Sequence, residues 1–431
     1  MFAFIRKFPM FSRNQKPRLL TARAGRIHAV GETRDLHYTL RILFCNYEYP
    51  PLGGGGGVVM AAMARALAER HDVTVLTSRA ANLPADGMDA NVKVARVPVF
   101  FRRHLAVANM PSMAAYLPMG LWRGLRLGRK QRFDVINTHF AVPTGPLGDW
   151  LSTRLDIPNI LSVHGGDLYD PSKQSSPHRH AFLRRAVARL LEKADGVVAQ
   201  SRDTARNVEQ IYGVGRKVEL IPLGIDRPPQ NIRAQRSDFN LPEGAFVLVT
   251  AGRIVPRKAS TQLIDTLAAL PDAFLLVVGD GPEAAAVKQR AVELGVDNRL
   301  RMLGYVSDEV KYNAYAASDV FVSTAQHEGF GLVFLEAMSF GLPVVCYNRG
   351  GQTDFLSTPD TGDVIQLNDL KAFNDAVRAL RDSPERRAAV GRHNLAKVED
   401  FYIERCAERY EELFAAAISD RLASPARLEH E

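Results

Sequence analysis

From Arg41 onward, short apolar runs alternate with segments of helical period. "RILFCN" (41–46) predicts a strand, a glycine-rich turn follows, and "GVVMAAMARALAER" (57–70) has the spacing of a helix. "DVTVLTS" (72–78), "FDVINTH" (133–139), "NILSVH" (159–164), "DGVVAQS" (195–201) and "KVELIPL" (217–223) predict further strands, with helical segments between them. Residues 224–244, rich in Pro, Asn and charge, break the rhythm and read as a linker. It restarts with strands at 245–253, 273–281, 299–305 and 319–324 and helices at 258–270, 282–294 and 308–317. Helices dominate after about Asn368. Strand–helix alternation of this kind builds a parallel, doubly wound sheet. The expected fold class is therefore α/β, with two Rossmann-like halves facing a cleft and ligands at the carboxyl ends of the strands. The expected divisions are 1–40, a basic disordered extension, then 41–224, 225–400 and a C-terminal helix with tail over 401–431.

Composition adds little to this, and charge adds more. Of 431 residues, 46% are hydrophobic and 24% charged, as in ordinary soluble proteins. Three widely spaced cysteines, Cys45, Cys346 and Cys406, form no C-x-x-C, which fits a reducing, cytoplasmic setting. Residues 1–225 hold 32 Lys/Arg against 17 Asp/Glu, a net +15, whereas the remainder holds 23 against 30, a net −7. A basic partner surface therefore belongs to the first half. Within it, residues 105–122 lack any charge and are flanked by basic residues, with Trp122 and Tyr116 inside. Two prolines and the place inside a Rossmann half argue against a spanning helix, and the segment suits peripheral docking on the inner, anionic face of a membrane. Charge reversal at Arg123, Arg126 and Arg129 is expected to weaken that docking. Nothing in the sequence points to nucleic acid.

Chemistry concentrates at the strand ends. In "AQHEGFGLVFLEAMSFGLPVV" (325–345), Glu336 is the sole charge from Gly331 to Val345, and a carboxylate among apolar neighbours needs a specific donor. Glu328 sits eight positions earlier, in the turn that opens the helix. Backbone N–H groups of Gly329, Phe330, Gly331 and Leu332 at such a helix start suit an anion. With roughly 12 Å as an upper bound on their separation, the two carboxylates could bracket a nucleotide sugar. In "GRIVPRKAS" (252–260), Arg253 and Lys258 offer fixed cations for a departing diphosphate. Gly54 and Gly55, in the five-glycine run after the first strand, allow close backbone approach. His139 and His164 each end a strand, and Asp167 follows His164 after two glycines.

"GRIVPRK", "VVGDGPE" and "HEGFGLVFLEAMSFGLPVV", in that order, resemble the donor half of family-4 retaining glycosyltransferases, and "PPLGGGGG", "SVHGGD" and "IPLGID" are similar to its other half. The resemblance spans about residues 41–415. It implies a GT-B architecture: an acceptor-side domain, a donor-binding domain, and a C-terminal helix that crosses back to the first. It also implies transfer from a nucleotide sugar with retained anomeric configuration and no cofactor or metal; no D-x-D occurs in the chain. Carried over, Arg253 and Lys258 neutralise the leaving diphosphate, Glu336 holds the ribose, Glu328 contacts the transferred sugar, and His164 touches it near the reacting carbon. Gly54 and Gly55 line the phosphate side, and His139 and Asp167 are candidates on the acceptor side. The acceptor would be a glycan, a lipid-linked sugar or a small molecule. Ala259 departs from the pattern, since glycine usually follows the lysine. A sugar-nucleotide epimerase or hydrolase of the same architecture, or a non-catalytic nucleotide-sugar-binding subunit, is the alternative. An NADP oxidoreductase is weaker, because "TSRA" (77–80) offers no acidic residue for a ribose.

Overall fold

A computed structural model describes residues 39–423 apart from 81, 101–109, 172 and 233, so all but the last two residues of the expected extension over 1–40, and the start of the apolar segment at 105–109, lie outside the described residues. In the first half, the elements are β1 (Arg41–Cys45), α1 (Gly55–Leu67), β2 (Asp72–Arg79), β3 (Asp86–Asp89), β4 (Val92–Pro98) and α2 (Met110–Lys130). They continue with β5 (Val135–His139), α3 (Gly145–Leu155), β6 (Asn159–Val163), α4 (Ala181–Lys193), β7 (Gly196–Ala199), α5 (Arg202–Tyr212) and β8 (Glu219–Leu220). The second half comprises β9 (Phe246–Ala251), α6 (Thr261–Ala268), β10 (Ala273–Val278), α7 (Ala284–Glu293), β11 (Leu300–Gly304), α8 (Asp308–Ala316), β12 (Val320–Ser323) and α9 (Leu332–Met338). It is completed by β13 (Val344–Tyr347), β14 (Gly362–Ile365), α10 (Leu370–Asp382), α11 (Pro384–Lys397) and α12 (Ile403–Ala423).

The two sheets have strand orders 3-4-2-1-5-6-7-8 and 11-10-9-12-13-14. All pairs are parallel except the β3–β4 edge hairpin. In each sheet the order reverses beside its first strand, β1 or β9. Such a switch point opens a crevice at the strands' carboxyl ends, because successive helices leave to opposite faces there. The central strands are buried on both faces: Ile42 to Cys45 in β1 and Val247 to Val249 in β9 are almost wholly out of solvent.

The apolar run 325–345 is not one element. Helix α9 ends after seven residues, about two turns, Gly341 takes φ +69°, and "VVCY" becomes β13. The expected strand at 217–223 shrinks to the two residues of β8. β3, β4 and β14 carry too few consecutive apolar residues to have stood out.

The apolar segment around Trp122 belongs to α2, which is packed against the first half rather than lying free. Gly120, Gly124 and Gly128, spaced four apart, form one stripe of this helix. A β-carbon on each would come within 2.7, 2.7 and 2.6 Å of Leu147, Leu151 and Leu155 on α3, so glycine lets the helices approach closely. Tyr116 is fully buried and donates to the Leu76 carbonyl at 2.8 Å, which removes it from any surface role. Arg123 is ion-paired with Asp86, whereas Trp122 is 57% exposed with Arg126 over its ring. Among the described residues no helix is long and apolar enough to cross a membrane.

Helix α12 packs on the first sheet, where Cys406, Tyr410 and Phe414 join the core around β1. Arg70 holds it through Glu411 at 2.6 Å, and Arg421 through Asp195 at 2.9 Å. The chain returns beside the linker, where Ile225 and Tyr402 form an isolated parallel bridge.

Candidate active site

The second half supplies charge. At the end of β9 the chain enters "GRIVPRKAS", and a small cavity there is lined by Gly252, Arg253, Lys258, Ser260 and Thr324. A 3-10 turn over Pro256–Lys258 aims Arg257 and Lys258 at the loop that follows β12. Both cations bind Glu328: Lys258 Nζ donates to Oε1, and Arg257 Nη1 reaches Oε2 at 3.3 Å and the His327 carbonyl at 2.8 Å. Glu328 is 6% exposed. Burial alone would raise its pKa, but Lys258 and then Arg257 hold it below the ordinary carboxylate range. Ala259 takes φ +46°, the left-handed conformation that glycine adopts without steric cost. The departure from the family pattern therefore keeps the loop shape at the expense of backbone strain.

Glu336 has a different set of donors. It lies on α9 and meets α8, where Lys311 Nζ donates at 3.0 Å and the Tyr315 hydroxyl at 2.9 Å. Lys311 also pairs with Asp308. Burial would lower the Lys311 pKa, but Glu336 and Asp308 together push it up, so the ammonium stays charged. Phe330, by contrast, is 4% exposed and packs its ring on Phe355, so only its backbone can face the crevice.

The first half supplies neutral groups. His164, just beyond β6, contacts His139 ring to ring at 2.9 Å between nitrogens, and Phe140 lies 4.4 Å away between centroids. Burial depresses the pKa of His164 to about 4 and puts that of His139 well below its usual value. Asp167 accepts from the backbone N–H of Ala141 at 2.7 Å and of His164 at 2.9 Å, and burial raises its pKa to about 6. His139 is 1% exposed and Asp167 7%, and both are engaged inside the domain. Both brace His164, His139 through its ring and Asp167 through the backbone N–H.

The halves touch around this point. A β-carbon on Gly329 would lie 3.2 Å from the His164 carbonyl oxygen, and one on Gly165 would lie 3.4 Å from the Gly329 Cα, so glycines on both sides permit the approach. Ser201 Oγ donates to the Gly329 carbonyl at 3.0 Å, Arg202 N–H to Asp354 at 2.6 Å, and His327 Nε2 pairs with Asp203 at 3.0 Å. Burial would raise the Asp203 pKa, but the His327 contact outweighs it and the carboxyl lies below its ordinary range. Gly54 also lies at this junction: a β-carbon there would be 3.9 Å from the Arg253 guanidinium carbon. Its N–H donates to Glu48 Oε2 at 3.2 Å, so a carboxylate occupies the first donor of α1. Gly55 opens α1 beside it.

Thus Arg253, Lys258, Glu328, His164 and Gly54 lie along one junction at the carboxyl ends of both sheets. Sequence reading missed Arg257, Lys311, Tyr315, Glu48 and the Asp203–His327 pair. Arg257 was detectable as a second cation in the same turn, and Glu48 lies in the same loop as Gly54. Lys311, Tyr315 and Asp203 come from elements distant in sequence from the residues they hold.

Comparison with known proteins agrees with this fold. Residues 231–395 match the model for glycosyl transferases group 1, and residues 53–227 match that for Glycosyltransferase Family 4. The chain is 24% identical over 387 residues to an N-acetyl-alpha-D-glucosaminyl L-malate synthase of Bacillus anthracis, covering 86% of this chain and 96% of that one. It is 29% identical over 367 residues to a GDP-mannose-dependent alpha-(1-6)-phosphatidylinositol monomannoside mannosyltransferase of Mycolicibacterium smegmatis, covering 81% and 91%. Among solved structures, Anabaena HepE in complex with UDP-glucose superposes with a TM-score of 0.68 at 20% identity, covering 88% of this chain and all of that one. With two parallel Rossmann-like sheets and both matched segments in register with them, the chain belongs to the family-4 glycosyltransferases of GT-B fold.

Proposed function

We propose that the protein transfers a sugar from a nucleotide-sugar donor to a hydroxyl of a glycan, a glycolipid or a small acceptor, with retained anomeric configuration and without a metal. The observation that carries this is the convergence of Arg253, Lys258 and Glu328 of one half on His164 and Gly54 of the other. GDP-mannose, on which the mycobacterial relative depends, and UDP-glucose, bound in the Anabaena complex, are both nucleotide sugars, which supports that class of donor. Arg253 and Lys258, which line the same small cavity, are the cations placed to stabilise the leaving charge.

In this reading the bond from the anomeric carbon to the diphosphate oxygen breaks while the acceptor oxygen bonds to the same face. The acceptor's proton passes to the departing phosphate. Arg253 and Lys258 stabilise the charge that grows there, and Glu328, held by Lys258 and Arg257, orients the sugar. Glu336, fixed by Lys311 and Tyr315, binds the ribose. The protein's share is position and charge, which alone can supply large rate factors.

A panel of UDP-, GDP- and ADP-sugars tests the reading directly. Turnover with at least one donor, unchanged by EDTA, and a product anomer matching the donor's by NMR are expected. Release of free sugar without an acceptor product would favour the hydrolase alternative. Membrane docking would rest on the exposed Trp122, Arg126, Arg129 and Lys130 of α2, since Arg123 is occupied by Asp86. Reversing the three exposed charges should reduce sedimentation with anionic vesicles, each contributing about 1 kcal/mol at low salt. Equal sedimentation of both forms would leave a soluble acceptor.

A further inference from the structure

Behind His164 runs a chain of buried polar side chains whose proton positions are fixed by one atom that can only accept. Asn137 and His139 lie two residues apart on β5, so strand alternation puts them on one face. The Asn137 amide nitrogen donates to the Ile160 carbonyl at 3.2 Å and to Ser162 Oγ at 3.0 Å. A carbonyl has no proton to give, so the nitrogen must face it, and Asn137 Oδ1 must face His139 Nε2 at 2.7 Å. Oδ1 accepts, so His139 carries its proton on Nε2. As a neutral ring it then has a bare Nδ1, and His164 Nε2, at 2.9 Å, must donate to it. The remaining nitrogen of His164, Nδ1, is a lone pair. It is buried and has no hydrogen-bond partner. At the other end, the Tyr410 hydroxyl of α12 donates to Ser162 Oγ at 2.9 Å, which ties the chain to the returning helix.

Asn137, His139, Ser162 and Tyr410 are each no more than 1% exposed, so water cannot rearrange the sequence of donors. A buried acceptor without a donor is costly, and in a native protein such a group calls for a ligand or a functional reason.

We propose that His139 is a positioning residue that holds His164 in the neutral form protonated at Nε2, so that the bare Nδ1 accepts a hydrogen bond from a hydroxyl of the transferred sugar. The hydroxyl part rests on the nucleotide-sugar reading above; the proton assignment does not. In this arrangement His164 acts on the sugar as an acceptor only and never as an acid. Its ring orientation is set by a backbone carbonyl two side chains away.

Two measurements test it. Protein labelled with 15N in its imidazole rings should show, at neutral pH and without ligand, a protonated Nε2 and an unprotonated Nδ1 for both His139 and His164. A protonated Nδ1 on His164 overturns the proposal, and this arm needs no variant to fold. In turnover assays, His139→Leu removes the acceptor for His164 Nε2 and should lower kcat by about three- to tenfold, with donor KM moving less. His139→Gln, whose amide can accept from His164 and donate to Asn137, should restore most of the loss. Deoxygenated donor analogues identify the hydroxyl. The one that meets Nδ1 should slow the wild type yet cause no further loss in His164→Phe. Additive losses at every position would overturn the hydroxyl assignment. Wild-type protein with the stated 15N pattern but no turnover on any donor would defeat the transferase reading and leave the proton assignment standing.

Discussion

The two walls of the junction solve the same placement problem with opposite chemistry. At the ends of β9 and β12, Arg257, Lys258 and Glu328 are all charged and satisfy one another. At the ends of β5 and β6, His139 and His164 are neutral, and their partners are an amide and each other. The difference lies in what each wall lacks before a substrate arrives. Lys258 and Arg257 have already made their ion pairs with Glu328, so in the proposed reading a diphosphate would compete with Glu328 for Lys258. The neutral wall has one unsatisfied lone pair and can accept a hydroxyl without giving up a partner. A carboxylate 6% exposed survives because two cations stand against it, whereas the histidines survive burial by staying uncharged.

Removing charge from the first wall should have the largest effect. Lys258→Ala or Arg253→Ala is expected to lower turnover by about 100-fold or more while the protein still folds, since both lie on a loop. Near-normal kcat at saturating donor in either variant would break the assignment of that wall to the diphosphate.

The paired carboxylates sharpen the comparison within the charged wall. Glu328→Gln keeps the shape but loses the charge that binds Lys258 and Arg257, and should lower kcat by roughly tenfold, as expected for a charged hydrogen-bonding group. Glu336→Gln retains an acceptor for Lys311 and Tyr315 and should raise donor KM with little change in kcat. Steady-state kinetics of both variants separate the roles, and equal small effects would make both glutamates structural.

The neutral wall should show itself in acid. His164 titrates near 6.5 in the unfolded chain and at about 4 when folded, so the unfolded state binds more protons between those values. The contribution is fully present above pH 6.5 and is lost as pH falls toward 4. His139 acts in the same direction. Asp167, raised from 3.8 to about 6, acts in the opposite direction across nearly the same window. The test is therefore a difference: denaturant midpoints of the wild type should fall more between pH 6.5 and 4 than those of His164→Gln. Parallel curves would show that the ring is free to charge in the fold.

The smallest effect concerns the loop that carries the cations. Ala259→Gly relieves a left-handed residue and should stabilise the fold by about 1 kcal/mol, the cost of that conformation for an L-residue. Thermal unfolding measures it, and a loss of stability would mean that the alanine methyl packs usefully.

Much of the site was legible because it is local. Arg253, Lys258 and Glu328 sit in short strand-end loops, where apolar runs stop and glycines begin, and a motif within a few residues carries its own geometry. His139 and His164 could be placed at strand ends for the same reason. Their roles could not, because whether a histidine faces a cleft or supports another depends on the neighbouring strand. The i, i+2 spacing of Asn137 and His139 was visible, but it acquires meaning only once β6 lies beside β5 and offers the Ile160 carbonyl.

By itself the sequence determined the alternation of strand and helix, and with it two parallel sheets, because burial on both faces demands apolar runs of strand length. It also determined which loops could bind an anion. Only the tertiary structure decided the partners: Lys311 and Tyr315 for Glu336, Asp203 for His327, and Tyr410 for Ser162. These pairs join residues 21 to 248 positions apart. A buried polar atom takes whichever complementary group packing brings within about 3 Å, and that neighbour is chosen by strand order and helix return rather than by any spacing along the chain.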